Sequence, residues 1–123
     1  MTLENEIASF PVCRQISTVV LISEDPLVAA FVRTLLGRHG CKVVSASAER
    51  GLALIETGEL RADLVITNTP QVFLPVADRL HVIYLAAMPD PSLIARFPSA
   101  RALRKPFAND ELVEAVQSLA VVR

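Results

Sequence analysis

The sequence predicts an α/β domain, a parallel sheet of five strands with helices on both faces. Three observations point there. Apolar runs of strand length alternate along the chain with stretches whose apolar residues recur at helical spacing. The strand-length runs are apolar throughout instead of alternately polar, as a parallel sheet covered on both sides requires. The chain has 123 residues, 52% of them apolar, which suits one domain with a full core of Val, Leu, Ile and Ala.

Residues 1–16 read as an extension, and residues 17–123 as the domain. STVVLIS, Ser17–Ser23, is the first strand. Asp25 suits an N-cap and Pro26 the first helical position. Leu27, Val28, Phe31, Val32, Leu35 and Leu36 then recur at helical spacing, and Gly40 suits the stop. CKVVSAS, from Cys41, is the second strand. Ser47 caps the helix AERGLALIET, which Gly58 ends. ADLVITN carries the third strand, Asp63–Asn68, into a turn at Pro70. HVIYLAA, from His81, is the fourth, and SARALRKPF contains a short fifth. NDELVEAVQSLA is a final amphipathic helix with Asn109 as its cap. Asp110 and Glu111 favour its positive end, and Leu112, Val113, Val116 and Leu119 face inward. Right-handed crossovers between such strands place the functional crevice at their carboxyl ends.

Composition narrows the function classes. Twelve basic and 13 acidic residues give a net charge of −1, with no global attraction to nucleic acid or an acidic membrane. Cys13 and Cys41 are far apart and form no CxxC, so they read as ordinary reduced thiols. His39 and His81 lack metal-ligand spacing. The acidic start MTLENEIASF has no basic region before an apolar core, unlike a signal peptide, and no apolar run approaches a membrane span. A reducing cytoplasm is the expected location.

Three fragments carry a family resemblance: LISEDPLV (Leu21–Val28), ADLVITN (Ala62–Asn68) and LRKPFANDEL (Leu103–Leu112). In this order and spacing they resemble the receiver domain of bacterial response regulators, of the chemotaxis type, over Ser17–Ala120. The resemblance implies a flavodoxin-like (βα)5 fold with strand order 2-1-3-4-5, placing Ser23, Glu24 and Asp25 opposite Asn68. It also implies a chemistry: an aspartate at the tip of strand three takes a phosphoryl group, with Mg2+ held by that aspartate and two acids after strand one.

This chain departs from that pattern. Ser23 and Glu24 stand at the acidic pair, and Asp25 is expected to be occupied as a helix cap. Asn68 stands at the acceptor position, and an amide cannot form the usual acyl phosphate. Ala86 replaces the switch Ser or Thr at the end of strand four, and Ala102 the switch aromatic of strand five. Lys105 and one acid, Glu24, remain. The expectation is that these two neutralise each other without a metal, Asn68 bridging them through its amide, so that Mg2+ binding is weak or absent and no cofactor is needed.

The third and fourth helices of the family are expected to be short here. Thirteen residues, TPQVFLPVADRLH, separate Asn68 from Val82, and Pro70 and Pro75 restrict helix, leaving room for a short turn. MPDPSLIARFPSA has three prolines, with a short helix near Ser92–Phe97. Val72, Phe73, Leu74 and Val76 either plug the resulting gap or leave an apolar patch for a partner. Arg96, Arg101, Arg104 and Lys105 form a local basic group, read either as a solvated face or as an acidic-partner site.

The resulting expectation is a phosphorylation-independent pseudo-receiver, a stand-alone protein-interaction module of two-component signalling. It docks on another signalling protein or on itself as a homodimer, and on neither nucleic acid nor membrane. The alternative is an atypical but working receiver controlled by a phosphorelay. A small-molecule site in the crevice lacks support, since SEDPL has no phosphate-cradling glycine. No nucleophile–base pair suggests an enzyme.

Overall fold

The computed structural model describes residues 18–120; residues 1–17 and 121–123, and with them Cys13 and the N-terminal extension, lie outside the described residues. In chain order the elements are β1 (Val19–Ser23), α1 (Pro26–Arg38), β2 (Lys42–Ser45), α2 (Ala48–Glu56), β3 (Leu64–Thr67), a 3₁₀ segment (Pro70–Arg79), β4 (His81–Ala86), α3 (Pro91–Ile94), β5 (Ala100–Arg104) and α4 (Asn109–Ala120). The five strands form one parallel sheet in the order β2-β1-β3-β4-β5, which is the flavodoxin-like order 2-1-3-4-5.

Strand alternation divides the core. One face of the sheet carries Val20, Ile22, Leu64, Ile66, Ile83, Leu85 and Leu103, packed against Val32 and Leu36 of α1 and against Leu112, Ala115 and Val116 of α4. The other face carries Leu21, Val65 and Val82, packed against Ile55 of α2 and against Phe73, Val76, Leu80 and Phe97. Gly51 brings α2 close to β1: a Cβ at this position would stand 2.5 Å from Leu21 Cδ2.

The helix starts follow from side-chain chemistry. Asp25 Oδ1 accepts hydrogen bonds from the Leu27 and Val28 amides, and Pro26, which has no N–H to satisfy, opens α1. Ser47 Oγ accepts from Arg50 N at the start of α2. Gly58, at φ +82°, turns the chain after α2. The cap of α4 differs from expectation. Asn109 is the first helical residue, and Ala108 occupies the cap position, where its carbonyl accepts from the Glu111 and Leu112 amides. Glu111 Oε1 reaches back to accept from Ala108 N at 2.8 Å. This is half of a capping box, and it satisfies the helix start without the Asn109 side chain.

The β3–β4 connection also differs from the single turn expected. Ten residues form 3₁₀ structure, broken at Val76 (φ −118°, ψ 21°). A 3₁₀ helix rises roughly 2.0 Å per residue against 1.5 Å in an α-helix, so a short segment reaches back along the sheet. α3 is shorter than predicted, ending at Ile94; i→i−3 hydrogen bonds then carry the chain to the buried Phe97.

Phe73 decides the plug question. It is among the largest fully buried side chains, at 0% exposure, with Val76 equally buried. Val72 and Leu74 are half-buried and pack on the same cluster. The segment therefore fills the gap left by the shortened helix, and Phe73 is no docking contact. Burying a side chain of this size stabilises the fold by roughly 1.5–3 kcal/mol.

Candidate functional site

The carboxyl ends of β1, β3, β4 and β5 bring the predicted residues together. Ser23, the last residue of β1 and buried, pairs in register with Thr67 of β3, so Glu24 and Asn68 leave adjacent strand ends. Lys105 leaves β5, held by a 2.8 Å hydrogen bond from its amide to the carbonyl of Ala86 at the end of β4. The Lys105–Pro106 peptide is cis.

At the centre, Lys105 Nζ lies 2.9 Å from Glu24 Oε2. The Glu24 side chain has no exposed surface, and that of Lys105 is 29% exposed. Glu24 Oε1 accepts from the Asp25 amide at 3.0 Å. Oε2 is buried and accepts no directed hydrogen bond, so the ammonium is its ionic partner. A carboxylate this buried is tolerated when its charge is compensated at contact distance.

Asp25 faces solvent and is engaged in capping α1, as the sequence suggested. Asn68 is exposed, and among the described residues no hydrogen bond joins its amide to Glu24 or Lys105. The expected amide bridge is therefore absent; Lys105 reaches Glu24 directly, leaving Asn68 at the rim. Beside it, Thr67 and Thr69 tie off the strand end: Thr69 N donates to Thr67 Oγ1 at 3.0 Å, and the two hydroxyls lie 3.3 Å apart. Asp63 sits at the opposite end of β3, its Oδ2 accepting from Val19 N at 3.0 Å, well removed from the acceptor position.

Ala86 is half-buried, and Ala102 is exposed on β5. Their neighbour was missed in the sequence. Tyr84 of β4 pairs in register with Ala102 and is buried. Residues paired in register share a sheet face, so the Tyr84 ring stands on the same face as Ala102, one strand over. Its place against Ala102 follows from the β4–β5 register, which the sequence alone does not give.

The basic group does not form one surface. Arg101 turns onto α4, where Nη1 donates to Ser118 Oγ at 2.9 Å and Nη2 lies 4.0 Å from Glu114 Oε1. Arg104 is exposed on the face of β5 opposite that of Arg101 and Leu103; Arg96 is exposed in the turn after α3. Lys105 is engaged with Glu24. Alternation along β5 and the pull of α4 separate what the sequence grouped.

Several solved structures similar to this chain are receiver domains. A response regulator receiver protein from Burkholderia phymatum superposes with a TM-score of 0.73 at 20% identity, over 86% of this chain and 97% of that one. The signal receiver domain of an HD domain-containing protein from Pseudomonas fluorescens Pf-5 gives 0.69 at 22% identity, over 83% and 85%. The chemotaxis response regulator CheY4 of Vibrio cholerae gives 0.67 at 20%, over 82% and 96%. No protein-family profile and no curated protein sequence matches the chain. The chain thus has the fold of the receiver domains of two-component response regulators. Among the described residues, no helix is long and apolar enough to cross a membrane.

Proposed function

We propose that this chain is a pseudo-receiver: a cytoplasmic protein-interaction module of two-component signalling that works without phosphorylation and is not an enzyme. The observation that carries this reading is the ion pair of Lys105 with the buried Glu24 beside an acceptor position occupied by Asn68. Phosphoryl transfer to this edge needs a carboxylate nucleophile, and an amide oxygen does not supply one.

Weak or absent Mg2+ binding is part of the proposal. Mg2+ takes hard anionic oxygens in tight octahedral geometry. Of the two acids near the crevice, Glu24 is compensated by Lys105 and Asp25 holds the start of α1. Among the described residues, no cluster of three His, Cys, Asp or Glu side chains is arranged to hold an ion. The loss of charge at Ser23 and Asn68 removes the excess of carboxylates that a metal would otherwise relieve. Signalling then rests on contact with another signalling protein or a second copy of this chain.

The test is incubation with a small acyl-phosphate donor and Mg2+, followed by intact-mass measurement. The proposal expects no phosphoryl adduct. A phosphoryl adduct on the wild-type chain would instead support a working receiver under phosphorelay control.

A further inference from the structure

At the amino ends of the strands, opposite the Glu24–Lys105 pair, the surface is concave. A cleft of about 400 Å3 lies between the end of α2, the start of β3 and the end of the 3₁₀ segment. Ile55 and Leu60 give it an apolar side, and Arg61, Asp63 and Arg79 line it. Its size falls within the range of small-molecule sites. Asp63 and Arg79 also line an adjoining cleft of about 310 Å3 that runs on toward His81.

The charges in the first cleft are not balanced internally. Among the described residues, neither Arg61 nor Arg79 forms an ion pair or a side-chain hydrogen bond. Among the described residues that line it Asp63 is the only acid, its Oδ2 accepting from the Val19 amide, while Asp78 beside Arg79 lines the adjoining cleft. The cleft therefore presents two guanidinium groups against one carboxylate that is partly satisfied by backbone. A planar guanidinium fork pairs bidentately with a carboxylate or a phosphate, and two of them beside an apolar wall suit an anionic head on an apolar body.

We infer that the cleft between Arg61 and Arg79 binds a small organic anion, a carboxylate or phosphate ester whose apolar part lies on Ile55 and Leu60. The site is separate from the strand ends that carry Glu24 and Asn68, so the inference stands or falls independently of the pseudo-receiver reading. A ligand here would bridge the end of α2 to the end of the Phe73 plug.

The probes are inorganic phosphate and butyrate, each titrated into the isotope-labelled full chain and followed by amide NMR. Saturable shifts at Leu60, Arg61, Asp63 and Arg79 with either probe support the site. Arg61→Gln and Arg79→Gln should each weaken binding by about tenfold or more, the value of one charge-assisted contact. Arg104→Gln, an exposed arginine elsewhere on the sheet, should leave it unchanged. Thermal melts of the three variants should match wild type, since among the described residues these guanidinium groups make no ion pair and no side-chain hydrogen bond. No saturable shift with either probe, shifts retained in both cleft variants, or equal weakening in Arg104→Gln would overturn the inference.

Discussion

Lys105 Nζ sits 2.9 Å from Glu24 Oε2, and the Glu24 side chain is wholly removed from solvent. The ammonium therefore compensates a carboxylate that would otherwise be buried and charged. Removing one partner should cost far more than removing both. Lys105→Met is expected to destabilise the chain by roughly 3 kcal/mol, the low end for one-sided loss of a buried pair, since Lys105 keeps some exposure. Glu24→Gln combined with Lys105→Met should recover most of that loss. Urea unfolding of the two single variants and the double variant measures the coupling.

Phe73 gives a second prediction, for stability. Phe73→Ala empties a fully buried site between the sheet and the 3₁₀ segment, and should destabilise by about 3–5 kcal/mol. Phe73→Leu should cost much less, because most of the volume is kept. If denaturant melts show Phe73→Ala to be neutral, the segment does not plug the sheet.

Asp90 gives a pH prediction. The Ser92 hydroxyl and the Ser92 amide hydrogen-bond its carboxylate, at 2.8 and 3.0 Å, and hold its pKa below the usual carboxylate range. A carboxyl lowered in the folded state contributes stability above its unfolded value, and that contribution disappears as the pH falls through the lowered value. NMR titration should show Asp90 titrating low, and Ser92→Ala should move it upward by removing the largest cause. Asp90 is fully exposed, so the readout is the titration midpoint.

Asn68→Asp tests whether the acceptor position alone determines the chemistry. Ser23 still lacks a carboxylate, and Lys105 still neutralises Glu24. The variant is expected to show little or no adduct with an acyl-phosphate donor and Mg2+ by intact mass. Ser23→Asp with Asn68→Asp should gain both adduct formation and Mg2+ affinity, because it restores the hard-oxygen set. An adduct on the single variant as large as on the double variant would show that the metal ligands matter less than argued.

Much of this site was legible in the sequence because its features are local. Asp25 and Pro26 announce a helix start through capping and a fixed φ, and both act as read. Strand order placed Ser23 and Glu24 beside Asn68, and the charges left over pointed to Glu24 with Lys105. What was not legible depends on distance in space. Whether Phe73 turns inward depends on a gap between elements far apart in the chain. The expected Asn68 bridge failed because Lys105 is long enough to reach Glu24 unaided. Arg101 left the basic group because Ser118 and Glu114 of α4 stand within reach. Tyr84 was readable only once the β4–β5 register was known. At Asn109 a local rule misled, since Glu111 capped the helix from inside instead.

We propose that Lys105 compensates Glu24 in place of a metal. The most direct measurement is the thermal midpoint of the wild-type chain with and without millimolar Mg2+. A ligand that binds only the folded state at 100 times its Kd adds about 2.7 kcal/mol, an easily read rise in the midpoint. No rise is expected in wild type, and a clear rise in the Ser23→Asp, Asn68→Asp double variant. A rise of similar size in wild type would contradict the proposal.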